Sequence, residues 1–585
     1  MKPLRIFLTP LLFLALLAAC IPSTPAPTQP PPTPTTAAAA PSPTIAPAQT
    51  LSLIAAITQE ATLEPAPTAQ PWWNDTVFYE IFVRSFKDSD GDGIGDFNGL
   101  TEMLDYLNDG DPATTTDLGI TGIWLMPITE SPSYHGYDVM DYYTVDQEYG
   151  TQENFKRLVG AAHERGIRVI IDLVLNHTST QNPWFQKSDD GDPEYRDWYI
   201  WADPAPNFRG PWGEQVWYAG KQGYYYAIFW SGMPDLNLEN PAVTAEIYDI
   251  ARCWLEDMDV DGFRMDAIRH FVENGSVQEN TPATHAWLQG FHQFYKSVDP
   301  QAFAVGEAWT DTPHVVEYIG DEVDIAFEFD LAGAFVRAAN GPIASSAINQ
   351  VNIVLDSYPA GQYGVFLTNH DQDRVMSVLK DAQKARLVAA MLLTSPGVPF
   401  IYYGEEIGMS GVKPDEDIRR PMQWSGDDAK VGFSTLTPWR LPPDDYANIN
   451  VATQTDDPTS LLSLYRDLIH LRNEHAALRT GETLVVDAGT QRLYALLRYN
   501  DQEAFLILVN VHPKPLTTST SLSAGPELYS LTLESGPFTG ALNAISVFGP
   551  ADPAAPQINA NGGFDSYIPF PEIPAQSIAI IQLTP

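Results

Sequence analysis

The 585-residue chain carries 74 acidic against 32 basic residues, a formal net charge of −42. That balance excludes a binder that neutralises nucleic-acid phosphates, argues against an anionic polymer as substrate, and leaves a neutral one open. The length exceeds one ordinary domain, and a 44% hydrophobic, 11% aromatic composition fits a globular protein with large cores.

The chain opens with Lys2 and Arg5, then an apolar run from Ile6 to Leu17 and the small residues Ala18 and Ala19. Charged, apolar and small segments in that order predict an export signal over 1–19. The apolar run is too short for a membrane span. Leu17-Ala18-Ala19-Cys20 resembles a bacterial lipobox, which implies lipidation at Cys20 and attachment to the membrane, facing outside the cytoplasm. Residues 20–70 are rich in Pro, Thr and Ala and bury too little apolar surface to fold, so they are expected to form a disordered tether. The other cysteine, Cys253, lies in an amphipathic stretch and is expected to be an inert buried thiol.

From Trp72 onward, short apolar runs alternate with helical patterns. The runs are 77–83, 122–127, 168–176, 262–267, 302–309, 324–330, 364–371 and 399–406; helical stretches include 154–166, 245–257 and 382–395. Eight such units predict an α/β fold with a closed (β/α)8 TIM barrel. An open doubly wound sheet would show a Gly-rich phosphate loop early in the chain, and none is present. The third and fourth runs lie about two βα units apart, so the Trp-, Tyr-, Gly- and Pro-rich stretch 178–244 is expected to be an inserted subdomain. It divides the barrel into parts 71–177 and 245–480. Short alternating runs over 481–585 predict a C-terminal antiparallel β-sandwich.

Two acidic patterns carry chemistry. In DSDGDGIGD, Asp88, Asp90, Asp92 and Asp96 stand at even spacings with glycines between them. Oxygen ligands on a tight loop suit structural Ca²⁺, with the Ile94 carbonyl as a further ligand. The loop departs from the EF-hand pattern, having no glutamate at its twelfth position. Separately, Asp172 follows RVII, Asp266 follows GFRM, Glu307 follows AFAVG and Asp371 follows GVFLTNH, each at the C-terminal end of a predicted strand, the barrel face where active sites form. Arg264, two residues before Asp266, faces the same side of its strand and would favour the ionised carboxylate.

IIDLVLNHTS (170–179), DGFRMDAIRH (261–270), VGEAW (305–309) and FLTNHD (366–371) resemble the four signature regions of the α-amylase family of glycoside hydrolases. GITGIWLMPI (119–128) resembles the family's second strand, and MPDLN (233–237) its fifth signature region. The resemblance implies Asp266 as nucleophile, Glu307 as acid and then base, and Asp371 as the holder of a distorted sugar. It further implies substrate contacts from Tyr137, His135, His177, His370, Arg264, Arg269 and His270, supporting roles for Asp138 and Asp172, and an ion pair between a site carboxylate and Arg419 or Arg420. A calcium loop after the first strand occurs in related members. A second calcium at Asn176 and the His270 carbonyl is a further expectation of the resemblance.

Within the family, exo-acting α-glucosidases generally carry an acidic cap three positions before the tyrosine of SPSYHGYD; here Tyr134 stands there. The combination of HGYD, MPDLN and TNHDQDR resembles an intermediate group of bacterial α-amylases. The expected activity is retaining endo-hydrolysis of α-1,4-glucan by a monomer. An exo-α-glucosidase or cyclodextrin hydrolase is the alternative within the family, and a non-catalytic maltodextrin-binding lipoprotein the alternative outside catalysis.

Overall fold

The computed structural model describes residues 71–518 and 527–585. The signal, the tether and Cys20 lie outside them. Eight parallel strands close into a barrel: β1 Phe78–Ile81, β2 Gly122–Leu125, β3 Arg168–Leu173, β4 Gly262–Met265, β5 Phe303–Gly306, β6 Ile325–Phe327, β7 Tyr363–Val365 and β8 Val398–Tyr402. Each strand is shorter than its apolar run, because the run's last residues turn out of the ladder and become the loops of the site.

Alternation along the strands builds two shells. Tyr79, Ile81, Ile123, Leu125, Val169 and Ile171 join the outer core under the helices. Phe78, Trp124, Ile170, Phe303, Val305, Phe327 and Phe400 fill the lumen. Phe78 stacks on Phe400 with ring centroids 4.6 Å apart. The lumen is thus a packed plug and not a pore. Above it, the next inward positions are charged: Glu80 on β1, Asp172 on β3 and Arg264 on β4. Register sets Asp172 directly beside Arg264.

Close approach shapes β4. Gly262 has φ +153°, and a Cβ there would sit 2.0 Å from the Phe303 carbonyl oxygen, so only glycine lets β4 and β5 pair at this level. Between β3 and β4 lie helix Pro183–Asp190 and a small sheet of Trp201–Ala202, Gly223–Tyr226 and Trp217–Gly220. Helix Pro241–Arg252, capped by Asn240 with proline at its first position, then returns the chain to the barrel. Cys253 follows this helix at the start of a π-turn; it is half-buried, not buried as expected, because it lies beside and not on the core-facing stripe of Val243, Ile247, Ile250 and Trp254.

The C-terminal region forms an antiparallel sheet in the order β9 Glu482–Val485, β10 Leu493–Tyr499, β11 Ala504–Asn510, β13 Ser577–Thr584 and β12 Asn543–Phe548. Its central strands are buried on both faces. Tyr494, Leu496, Phe505 and Ile507 join the barrel's outer core, while Ala495, Leu497, Leu506 and Leu508 pack with the short strands Leu531–Leu533 and Phe564–Tyr567. No helix among the described residues is long and apolar enough to cross a membrane.

Candidate active site

The loops after the barrel strands surround a cavity of about 900 Å³. Arg264, fully buried, organises its floor. Its Nη1 donates to Asp172 Oδ1 at 2.8 Å and to Asp266 Oδ1 at 2.7 Å, and Nη2 stands 3.4 Å from Glu307 Oε2. The guanidinium draws three buried carboxylates together and opposes, without cancelling, the desolvation each suffers. Ala267, at φ +49°, turns its backbone N–H onto Glu307 Oε2 at 2.8 Å. The left-handed conformation of a non-glycine residue stores strain beside the reacting groups. Burial, with the charges of Asp266 and Asp371, pushes the Glu307 carboxyl up to about 7 against the pull of Arg264.

A second network closes the other wall. Tyr137 has one hydroxyl proton and donates it to Asp172 Oδ2 at 2.9 Å. His370 Nε2 lies 2.5 Å from the same hydroxyl. The Nδ1 of His370 faces Glu80 Oε1 at 2.5 Å. Burial disfavours a charged ring, but Asp371 and Glu80 outweigh it and raise the His370 pKa. Arg419 donates to Asp371 Oδ1 at 2.8 Å and to the His370 carbonyl at 2.9 Å. Burial would raise the Asp371 carboxyl; His370 and Arg419 overcome it and hold Asp371 down at about 2.

The cavity brings together Asp266, Glu307 and Asp371 with Tyr137, His135, His177, Arg269, His270 and Arg419. Arg264 lies beneath it. Of the two candidate arginines, Arg419 reaches the site; Arg420 pairs with Asp417 at 2.7 Å. His177 Nε2 lies 3.1 Å from the Tyr137 carbonyl, and burial lowers its pKa. Arg269 donates to the Trp309 carbonyl at 2.5 Å and pairs with Glu279 at 3.2 Å. The His270 ring contacts the Gln278 carbonyl at 2.7 Å, and burial lowers its pKa to about 4. Asp138 accepts from Ser131 and Ser133, as a support does. Tyr134 lies outside the cavity lining and stacks on Trp439 at 5.3 Å.

Glu80 is a further site residue, signalled in the sequence only as a lone acid inside an apolar run. Trp212, Phe229, Trp230, Lys413 and Asp415 line the cavity as well, from the insert and from the loop after β8. Only the aromatic richness of the insert hinted at them.

In the loop after β1, carboxylate oxygens of Asp88, Asp90 and Asp96 lie within 4.8 Å of one another. Asp92 stands outside this triplet; its Oδ1 accepts from the Ile94 N–H at 2.8 Å. Asp88 also accepts from the N–H groups of Gly91 and Gly93 at 2.6 and 2.8 Å. Asp96 caps helix Phe97–Glu102 through the Gly99 N–H. At the position of the second expected ion, Asn176 donates to Asp235 at 3.1 Å.

Residues 80–481 match the family described as alpha amylase, catalytic domain. The chain is 38% identical over 451 residues to alpha-amylase 3 of Dictyoglomus thermophilum, spanning 76% of this chain and 86% of that one. It is 36% identical over 495 residues to the trehalose synthase/amylase of Mycolicibacterium smegmatis, spanning 74% and 81%. The crystal structure of an alpha-amylase from H. orenii superposes with a TM-score of 0.73 at 40% identity, covering 87% of this chain and 99% of that one. With the barrel, the site at its upper face and these likenesses in agreement, the chain belongs to the α-amylase family and is an enzyme of the glycoside hydrolase type.

Proposed function

We propose that the enzyme hydrolyses internal α-1,4-glucosidic bonds of starch, glycogen or maltodextrin with retention of configuration. One observation carries the reading: Asp266 and Glu307 flank the same Arg264 guanidinium, and burial with the neighbouring carboxylates pushes Glu307 up to about 7. Retaining hydrolysis needs one carboxylate to attack and one carboxylic acid to donate. Asp266 attacks the anomeric carbon as Glu307 protonates the departing glycosidic oxygen. Glu307, now ionised, takes a proton from the water that releases the sugar from Asp266. Asp371, kept anionic by His370 and Arg419, accepts hydrogen bonds from ring hydroxyls. Tyr137 lies under the sugar.

Endo action is supported by Tyr134. Its aromatic ring packs away on Trp439 and places no carboxylate where exo-enzymes cap the chain end. Calcium at Asp88, Asp90 and Asp96 fits the converging oxygens and would supply structural charge to the loop; Asp92 and the Ile94 carbonyl complete the expected set. A chain exported and held at the membrane through Cys20 would meet a glucan too large to import, and would act as a monomer. The test is hydrolysis of soluble starch. Endo action releases mixed maltodextrins as viscosity falls early. Glucose as the sole product would favour an α-glucosidase, and binding without release would defeat the enzymatic reading.

A further inference from the structure

A second groove, of about 790 Å³, opens on the same face between the loops after β5, β6, β7 and β8. It meets the active-site cavity at Trp309, Asp371 and Lys413, which line both. The first cavity already runs from His135 and Arg419 to Trp212 and Trp230 of the insert, enough for a linear chain to thread. A further limb that joins it at Asp371 has no part in that path. Its geometry suits a chain that forks.

We propose that this groove receives the side chain of a branched α-glucan, so that the enzyme cleaves α-1,4 bonds close to an α-1,6 branch point; the inference rests on the α-glucan reading above. The lining matches a neutral, hydroxyl-rich ligand with apolar ring faces. Trp309 is 43% exposed and lies parallel to Phe329 at 4.8 Å, which fixes its ring as a flat platform at the junction. Val378 and Val412 line the groove at 40% and 53% exposure. Gln372, also in the lining, has a buried side-chain oxygen with no hydrogen-bond partner among the described residues. Asp311, Asp330, Arg337 and Asp373 also line the groove and offer hydrogen bonds to sugar hydroxyls around these apolar faces.

The test compares kcat/KM on linear maltoheptaose with that on maltoheptaose carrying one α-1,6-linked maltosyl branch. The wild-type enzyme should cleave both. Val412→Trp and, separately, Val378→Trp fill the groove from exposed positions outside the catalytic cavity. Each should leave the linear value unchanged and lower the branched value by about tenfold or more. Melting curves matching wild type show that the variants fold, and two positions guard against one failing to. An equal loss on both substrates, or no loss on either, would overturn the proposal. So would a wild-type enzyme that cleaves the linear substrate but not the branched one. Failure on both substrates would instead bring down the α-glucan reading itself.

Discussion

Asp172, Asp266 and Glu307 share the guanidinium of Arg264, whereas Asp88, Asp90 and Asp96 converge with no lysine or arginine ion-paired to any of them among the described residues. The first cluster is buried under the cavity and carries its own counter-charge. The second sits on a loop at the rim, where partial burial and the neighbouring charges of Asp90, Asp88 and Asp96 raise the Asp92 carboxyl. A protein-supplied cation holds the reacting carboxylates together without occupying the place of the substrate. A loop that supplies only oxygens would have to borrow a cation from solvent, as proposed above for calcium.

Four measurements can break or sharpen that contrast. The largest effect is expected at the nucleophile. Asp266→Asn should cut kcat on maltoheptaose by at least about four orders of magnitude, with the melting temperature nearly unchanged. Turnover above about one hundredth of wild type would remove Asp266 from that role. Next comes the shared cation: Arg264→Met strands buried carboxylates and should cost about 3–5 kcal/mol in urea unfolding, the range for breaking a buried ion pair. A loss no larger than that of a surface arginine would show that the carboxylates are solvated after all.

Calcium stands third. At a hundredfold excess over its dissociation constant the ion should add about 2.7 kcal/mol, read as a melting temperature that rises with CaCl₂ and falls with chelator. Asp90→Asn should abolish this response. Asp90 is the clean choice, because Asp88 and Asp96 also hold the turn and the helix cap. A melting temperature indifferent to calcium would leave the loop as a solvated acidic turn.

The smallest effect is a pH limb. Glu307 must be protonated to donate, and its folded-state pKa is raised to about 7. The donating form is therefore present below that value and is lost as pH rises through it. kcat should fall about tenfold per unit on the alkaline side. An alkaline limb lying near pH 4.5, the ordinary value for a glutamate, would mean that burial does not protect this proton.

Much of this arrangement was legible in the residues. Short apolar runs separated by amphipathic helices identify a parallel barrel, since strands buried on both faces have no polar face to show. Carboxylates at the C-terminal ends of the predicted strands identify the active face. The runs overstate the strands, as at 364–371, where the ladder ends at Val365 and the remaining residues turn to present His370 and Asp371. Apolarity reports burial, and the loop residues Phe366, Leu367 and His370 are as buried as strand residues.

Glu80 and the insert tryptophans show where the sequence runs out. Glu80 is 290 positions from His370, and only barrel closure between β1 and β8 sets the two in contact. Trp212 and Trp230 reach the site because the insert folds over it. The choice of Arg419 over Arg420 turned on the conformation of the loop after β8.

By itself, the chain determined its periodicity, its acidic balance and the residues whose chemistry local spacing can express: strand-end acids, an arginine two positions before one of them, and an aspartate-glycine loop. Those follow from patterns within a few residues. Tertiary structure alone decided which acids share Arg264, which histidine stands between Glu80 and Asp371, and that a second groove joins the first at Asp371. Each depends on groups far apart in sequence becoming neighbours in a low-dielectric interior, where a contact of about 3 Å sets protonation and partner.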